Sequence, residues 1–140
     1  KELGLEPLAT ILWVSSVAVE PRYIASVPAD AIKKILADTN LTLDAIDIIE
    51  INEAFAAMPL VATKILAGEF YGGDGKKLQD LREKVNVNGG CVAIGHPVGA
   101  SGARLVMTTI YELKRRSGGL ALAAICGGLA QGDACIIKVG

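Results

Sequence analysis

Aromatic side chains are scarce in this sequence: they make up 4% of it, against 51% for all hydrophobic residues. A core without large rings must be filled by alanine, valine, isoleucine and leucine, the composition of buried strands and helices in α/β domains. An excess of either charge is missing as well, with 14 basic and 15 acidic residues giving a net charge of −1. That balance excludes the basic footprint of a nucleic-acid-binding domain and the polybasic patch of a membrane-surface protein. No apolar run is long enough to span a bilayer, and no signal-peptide pattern is present. Cysteine occurs only at 91, 126 and 135. An odd number without zinc-ligand spacing supports neither a disulfide framework nor a metal site, and the simplest compartment is a reducing, cytoplasmic one. The chain begins with Lys1 rather than methionine, as a processed chain, a cloned domain or a fragment would.

Histidine occurs once, and the sequence around it is the most distinctive in the chain. His96 lies within Asn86-Val-Asn-Gly-Gly-Cys-Val-Ala-Ile-Gly-His-Pro-Val-Gly-Ala-Ser-Gly-Ala-Arg104. The glycines at 89, 90, 95, 99 and 102 suit backbone with positive φ or close approach to a ligand or another backbone. A helix read over 99–116 opens just after the imidazole. Its free N–H groups and dipole are expected to favour negative charge there.

The other elements follow from periodicity and punctuation. Residues 9–19 are β-rich and end at Glu20-Pro21, a strand in which Trp13 is expected to pack in a core or an interface. Residues 28–37 read as an amphipathic helix started by Pro28, and 46–51 as a second, buried strand. A helix follows Asn52 to about Ala67, with Pro59 marking a kink or an early turn. Residues 68–77 read as a mobile surface loop, and 78–84 as a short charged helix. After a helix stop at Ser117-Gly-Gly119, residues 120–126 form a small-residue strand. A glycine-rich turn then leads into a final antiparallel strand over 133–139. The order β-α-β-α-(α)-α-β-β, with the short charged helix in brackets, implies one layered α/β domain over residues 1–140 with a mixed sheet.

Asn52, His96 and Cys126 all stand at strand or loop ends beside glycines. Taken locally, Asn52 reads as a helix N-cap, His96 as a structural hydrogen-bonding residue and Cys126 as a small core residue. Cys91 and Cys135 lie inside apolar runs and read as packing. Cys126 differs, because it closes a strand and precedes Gly127-Gly128, whose N–H groups can approach a substrate carbonyl. A cysteine with a histidine suggests acyl transfer, with Cys126 as either nucleophile or base.

The segments Asn52-Glu-Ala-Phe55, Asn86-Val-Asn-Gly-Gly90 with Gly95-His-Pro-Val-Gly-Ala-Ser-Gly-Ala-Arg104, and Cys126-x-Gly-x-x-Gln-Gly132 occur in this order. Together they resemble the three C-terminal active-site loops of the thiolase family. The resemblance extends to the opening strand, and so covers essentially the whole chain but about the last third of a complete thiolase. It implies half of the αβαβα thiolase fold, with the acylated nucleophilic cysteine on an N-terminal half outside this sequence. It further implies reversible Claisen condensation of acetyl-CoA, or CoA-dependent cleavage of a 3-ketoacyl-CoA. Coenzyme A and acyl-CoA would be substrates, with no covalently bound cofactor and no metal. By the same resemblance, His96 would activate the nucleophile and help form an oxyanion hole, and Asn52 would hold the water completing it. Cys126 would be the acid/base at the α-carbon, the Gly128 N–H would serve the second oxyanion hole, and Phe55 and Ile24 would line the pantetheine and acyl region.

The last loop departs from the family's Cys-x-Gly-Gly-Gly, since Leu129-Ala130 replace the later glycines, which implies altered backbone freedom or acyl-pocket shape. Cys91 stands where many relatives have alanine. A non-catalytic assembly or CoA-binding module keeping the fold is the alternative reading. A ketoacyl-synthase-like condensing enzyme ranks behind it, because that chemistry normally adds a second histidine. The apolar helices around 54–67 and 103–113 lead us to expect a homo-oligomer or dependence on the N-terminal half.

Overall fold

The computed structural model describes residues 2–140. Its elements in chain order are β1 (Thr10–Ala18), α1 (Val27–Thr39), β2 (Ile48–Ile51), α2 (Ala57–Tyr71), α3 (Gly75–Glu83), the single-turn α4 (Cys91–Ile94), α5 (Ser101–Arg115), β3 (Gly119–Gly127) and β4 (Gln131–Val139). Single 3-10 turns at Pro21–Tyr23 and Leu43–Ala45 lead into α1 and β2. The four strands form one mixed sheet in the order β1-β4-β3-β2. The β1/β4 and β4/β3 pairs are antiparallel and β3/β2 is parallel. The fold is the α/β class expected from the sequence.

Alternation along β3 and β4 divides the interior in two. Leu122, Ala124, Ala134 and Ile136 join Ile32, Ile35 and Leu66 in the core beneath α1 and α2. Ala121, Ala123 and Ile137 join Leu105 and Leu113 beneath α5. Small residues in β3 let helices close on both faces. Gly132 serves the same end on β4: a Cβ there would lie 2.8 Å from the Val27 carbonyl oxygen.

The boundaries differ from expectation in several places, among them the helix after Asn52, which begins only at Ala57. Ile46 closes a 3-10 turn, so β2 starts later than the apolar run does. The mobile loop expected over 68–77 is instead the end of α2 and the start of α3. Gly72 and Gly73, at φ 60° and 79°, make the break, and Asp74 caps α3 by accepting from the Lys77 N–H at 2.8 Å. Tyr71 holds the end of α2 by packing on the core and donating its hydroxyl to Asp44 at 2.7 Å. Pro59 falls in the first turn of α2, where its missing N–H costs no helical bond.

The two faces are covered unequally. On one, α1 packs across β1, β4 and β3; on the other, α5 packs on β4, β3 and β2. A groove of about 290 Å³ remains beside β1, lined by Val14, Gly102, Leu105, Val106, Ile125 and Cys135. Edge strand β1 is bulged between Ile11 and Trp13 and exposes Ile11, Leu12, Trp13 and Val14, so Trp13 is not a core residue. Among the described residues, no helix is long and apolar enough to cross a membrane.

Candidate active site

The parallel pair β2/β3 ends with Ile51 opposite Ala124, and the Asn52 N–H extends the pairing to the Ala124 carbonyl at 2.9 Å. Asn52 and Cys126 therefore leave the sheet from the C-terminal ends of neighbouring parallel strands, where α/β folds gather their sites. Asn52 is not a helix cap. The chain runs on to Ala56 before α2 begins, and Asn52 is fully buried. Its Oδ1 accepts from the Cys91 thiol at 3.1 Å, and its Nδ2 lies 3.3 Å from His96 Nε2.

The loop bearing His96 is fastened to β2 by side chains. Asn86, at φ 49°, accepts from the Ile51 N–H at 2.8 Å and donates through Nδ2 to the Ile51 carbonyl at 2.9 Å and to Glu53 at 3.1 Å. The other Glu53 oxygen accepts from the Val92 N–H at 2.9 Å. A Cβ at Gly90 would meet the Glu53 carboxylate, which would have to leave these bonds to make room. Gly95, at φ 90°, turns the chain out of α4. His96, half-buried, then places Nδ1 2.6 Å from Ser101 Oγ at the start of α5. Gly99 and Gly102 have open space around them and no positive φ, so local geometry does not require glycine at either. The N–H groups of Ala100 and Ser101 are taken by the Pro97 carbonyl rather than left free beside the imidazole.

The sequence thus gave Asn52 and His96, and the structure brings their side chains together. Sequence reasoning missed three partners and misjudged a fourth. Ser101 holds the far side of the imidazole. Arg104, one turn along α5, donates to Cys91 Sγ at 3.2 Å and to Glu50 at 3.3 Å. Cys91 had been read as packing alone. Glu50 did leave a signal, being a charged residue inside an otherwise apolar strand.

Cys126 is half-buried opposite Gly132, and no hydrogen bond among the described residues links it to His96 or Asn52. Gly128 is exposed at the hairpin tip with open space around it. Phe55 is 65% exposed in the link between β2 and α2, and Ile24 is half-buried just ahead of α1.

The family profile of the thiolase C-terminal domain matches residues 5–139. A β-ketoadipyl-CoA thiolase of Acinetobacter baylyi is 46% identical over 96% of this chain, and a probable acetyl-CoA acetyltransferase of Mycolicibacterium smegmatis is 46% identical over 99%. Among solved structures, the acetyl-CoA acetyltransferase of Bacillus anthracis superposes with a TM-score of 0.84 at 42% identity, over 99% of this chain and 32% of that one. The Acat5 thiolase of Ascaris suum, in complex with coenzyme A, gives 0.80 at 39% identity, over 99% and 33%. The chain belongs to the thiolase family. It spans about a third of the length of the curated relatives, 31% and 32% for the two above.

In this thiolase domain two buried carboxylates are held in opposite states. Burial lifts the Glu50 carboxyl from 4.5 to about 7, outweighing the single Arg104 contact. Arg115 and Arg116, with Asn88, hold Glu112 down at about 2. Burial also pushes the Cys126 thiol up, so in the chain by itself it rests protonated at neutral pH. After Gly127 and Gly128 the hairpin turns without further glycines. Leu129 and Ala130 sit at φ 61° and 57°, in the left-handed region.

Proposed function

We propose that this chain is the C-terminal half-site of a thiolase, forming a single domain over its 140 residues and working with an N-terminal half that carries the acylated cysteine. The observation that carries the reading is the contact of Asn52 with His96 across 44 residues of sequence, beside the strand end that bears Cys126.

In the condensation direction, Cys126 as thiolate takes the α-proton of acetyl-CoA, and the resulting enolate attacks the acyl group on the partner's cysteine. The tetrahedral intermediate then collapses, expelling that sulfur. In the cleavage direction, Cys126 as thiol returns the proton to the α-carbon, which suits the raised affinity of this sulfur for its proton. The α-proton of a thioester is acidic enough only if the enolate oxygen is stabilised as it forms. One donor to such an oxygen contributes about 3–4 kcal/mol. Once its Nε2 has taken the proton of the partner's cysteine, His96 fills that role at one oxygen together with a water held by Asn52, and the unobstructed Gly128 N–H fills it at the other. Phe55 and Ile24 would flank the pantetheine arm. The groove beside α5 is where the N-terminal half would pack, since the relatives are about three times as long as this chain and the groove is apolar and open. A cytoplasmic setting and a homo-oligomer belong to the same proposal.

The test is thiolysis of acetoacetyl-CoA by this chain, alone and combined with the N-terminal half from the same source. Activity only in combination, lost in His96→Ala and Cys126→Ala, supports the reading. Activity of the chain alone would make Cys126 the nucleophile. A stable complex without activity would favour the non-catalytic module.

A further inference from the structure

Around His96 the hydrogen bonds form a series that starts from a residue with no choice of direction. Arg104 can only donate, and it does so to Cys91 Sγ at 3.2 Å. The thiol hydrogen is then directed to Asn52 Oδ1 at 3.1 Å. With Oδ1 committed as acceptor, the Asn52 amide presents Nδ2–H to His96 Nε2 at 3.3 Å, so Nε2 must carry a lone pair. At the other end Ser101 Oγ lies 3.2 Å from the Pro97 carbonyl, which can only accept, and 2.6 Å from His96 Nδ1. With Nε2 carrying the lone pair, Nδ1 carries the hydrogen and donates to Ser101, whose own hydroxyl hydrogen then goes to Pro97. The Ser101 end accommodates the tautomer that the Arg104 end assigns.

We infer that Cys91 is a positioning residue: by fixing which way the Asn52 amide faces, it holds His96 in the Nδ1–H tautomer with a basic Nε2. A flipped amide would place Nδ2 against Cys91 Sγ, where the Arg104 guanidinium already points, leaving two donors facing one sulfur. The flip would also set Oδ1 against Nε2 and call for the opposite tautomer, turning the Ser101 hydroxyl away from Pro97. No other side chain hydrogen-bonds to Asn52 among the described residues, and Asn52 is fully buried with Cys91 only 5% exposed, so solvent does not supply the missing preference. Without the thiol, the two amide orientations become closely matched.

For catalysis this inference rests on the half-site reading, because a base for the partner's cysteine needs its lone pair on Nε2. The tautomer itself does not rest on that reading. It is measured on the 140-residue chain, where the only imidazole gives one pair of 15N resonances. The pH is set to about 8.5, above the ordinary imidazole value near 6.5, and the amide spectrum confirms that each variant is folded. The wild-type chain and Cys91→Ser, which keeps a donor, are expected to show protonated Nδ1. Cys91→Ala and Cys91→Val are expected to raise the ratio of the Nε2–H form roughly five-fold, the size of one net hydrogen bond. An Nε2–H tautomer in the wild type overturns the inference even if both apolar variants fail to fold. So do folded Ala or Val variants with the wild-type ratio, or a serine variant shifted as far as alanine. Thiolysis that fails with the tautomer as stated would count against the half-site reading alone. In the assembled enzyme, Cys91→Ala is expected to lower kcat several-fold with little change in KM.

Discussion

The two faces of the sheet are built from the same strands and yet differ in kind. Beneath α1 and α2 the core is continuous, apolar and closed, with Ile32, Ile35 and Leu66 fully buried. Beneath α5 the core is smaller, it adjoins an open groove, and at its edge lie Glu50, Arg104, Cys91 and Asn52. The larger apolar core lies on the first face and the hydrogen bonds around His96 on the second, while Cys126 alternates with Leu122 and Ala124 towards the first. Ordered polar side chains are affordable at the second because the first supplies most of the hydrophobic stabilisation.

The sharpest way to break that division is His96→Ala. In the complete enzyme, thiolysis is expected to fall about 10²–10⁴-fold, the range for losing a positioned acid/base, with unfolding of the chain changed by less than about 1 kcal/mol. A large loss of stability would make His96 structural and erase the contrast. On the opposite face, Ile32→Ala should cost about 2–5 kcal/mol by urea unfolding, leaving activity per folded molecule intact. A cost below about 1 kcal/mol would show that the α1 core is not where stability resides.

Glu50 and Glu112 extend the comparison to pH. Folding raises the Glu50 affinity for its proton, so the folded chain holds a proton the unfolded one has released. Stability should therefore fall as pH rises from 4.5 to about 7, by about 3 kcal/mol. Glu50→Gln should flatten the urea midpoint across that window, and an already flat wild-type profile would contradict the assignment. Glu112 acts in the opposite sense: its contribution is present above 4.5 and is lost as pH falls towards about 2. The smallest effect is expected at the hairpin. Leu129→Gly should raise stability by about 0.5 kcal/mol, the balance between relieving a left-handed backbone and freeing the unfolded chain. A decrease would mean that the exposed leucine packs against something.

Much of this was legible in the sequence, for physical reasons. β-rich and small-residue apolar runs marked the strands, and the motif around His96 marked the loop that the structure brings against Asn52. Asn52 was misread because capping preference is judged from a few neighbours, whereas its partners come from a loop 39 and 44 residues further on. Ser101 and Arg104 were invisible as partners for the same kind of reason: only the packing of α5 on the sheet turns one towards His96 and the other towards Cys91 and Glu50. The loop expected over 68–77 failed because four consecutive residues rich in glycine look flexible, yet two glycines with left-handed φ are a compact way to join helices.

The segment 84–86 runs along the outer border of β2, bonded to Ile49 through its backbone and to both the N–H and the carbonyl of Ile51 through the Asn86 amide. It closes the β2 border of the sheet against addition of another chain, whereas β1 remains unsealed. A sheet with one open border can be extended on one side only, so edge-to-edge pairing through it would end at two copies rather than propagate into a fibre. The asparagine that fastens the His96 loop to β2 thereby also helps to stop the sheet from growing on that side.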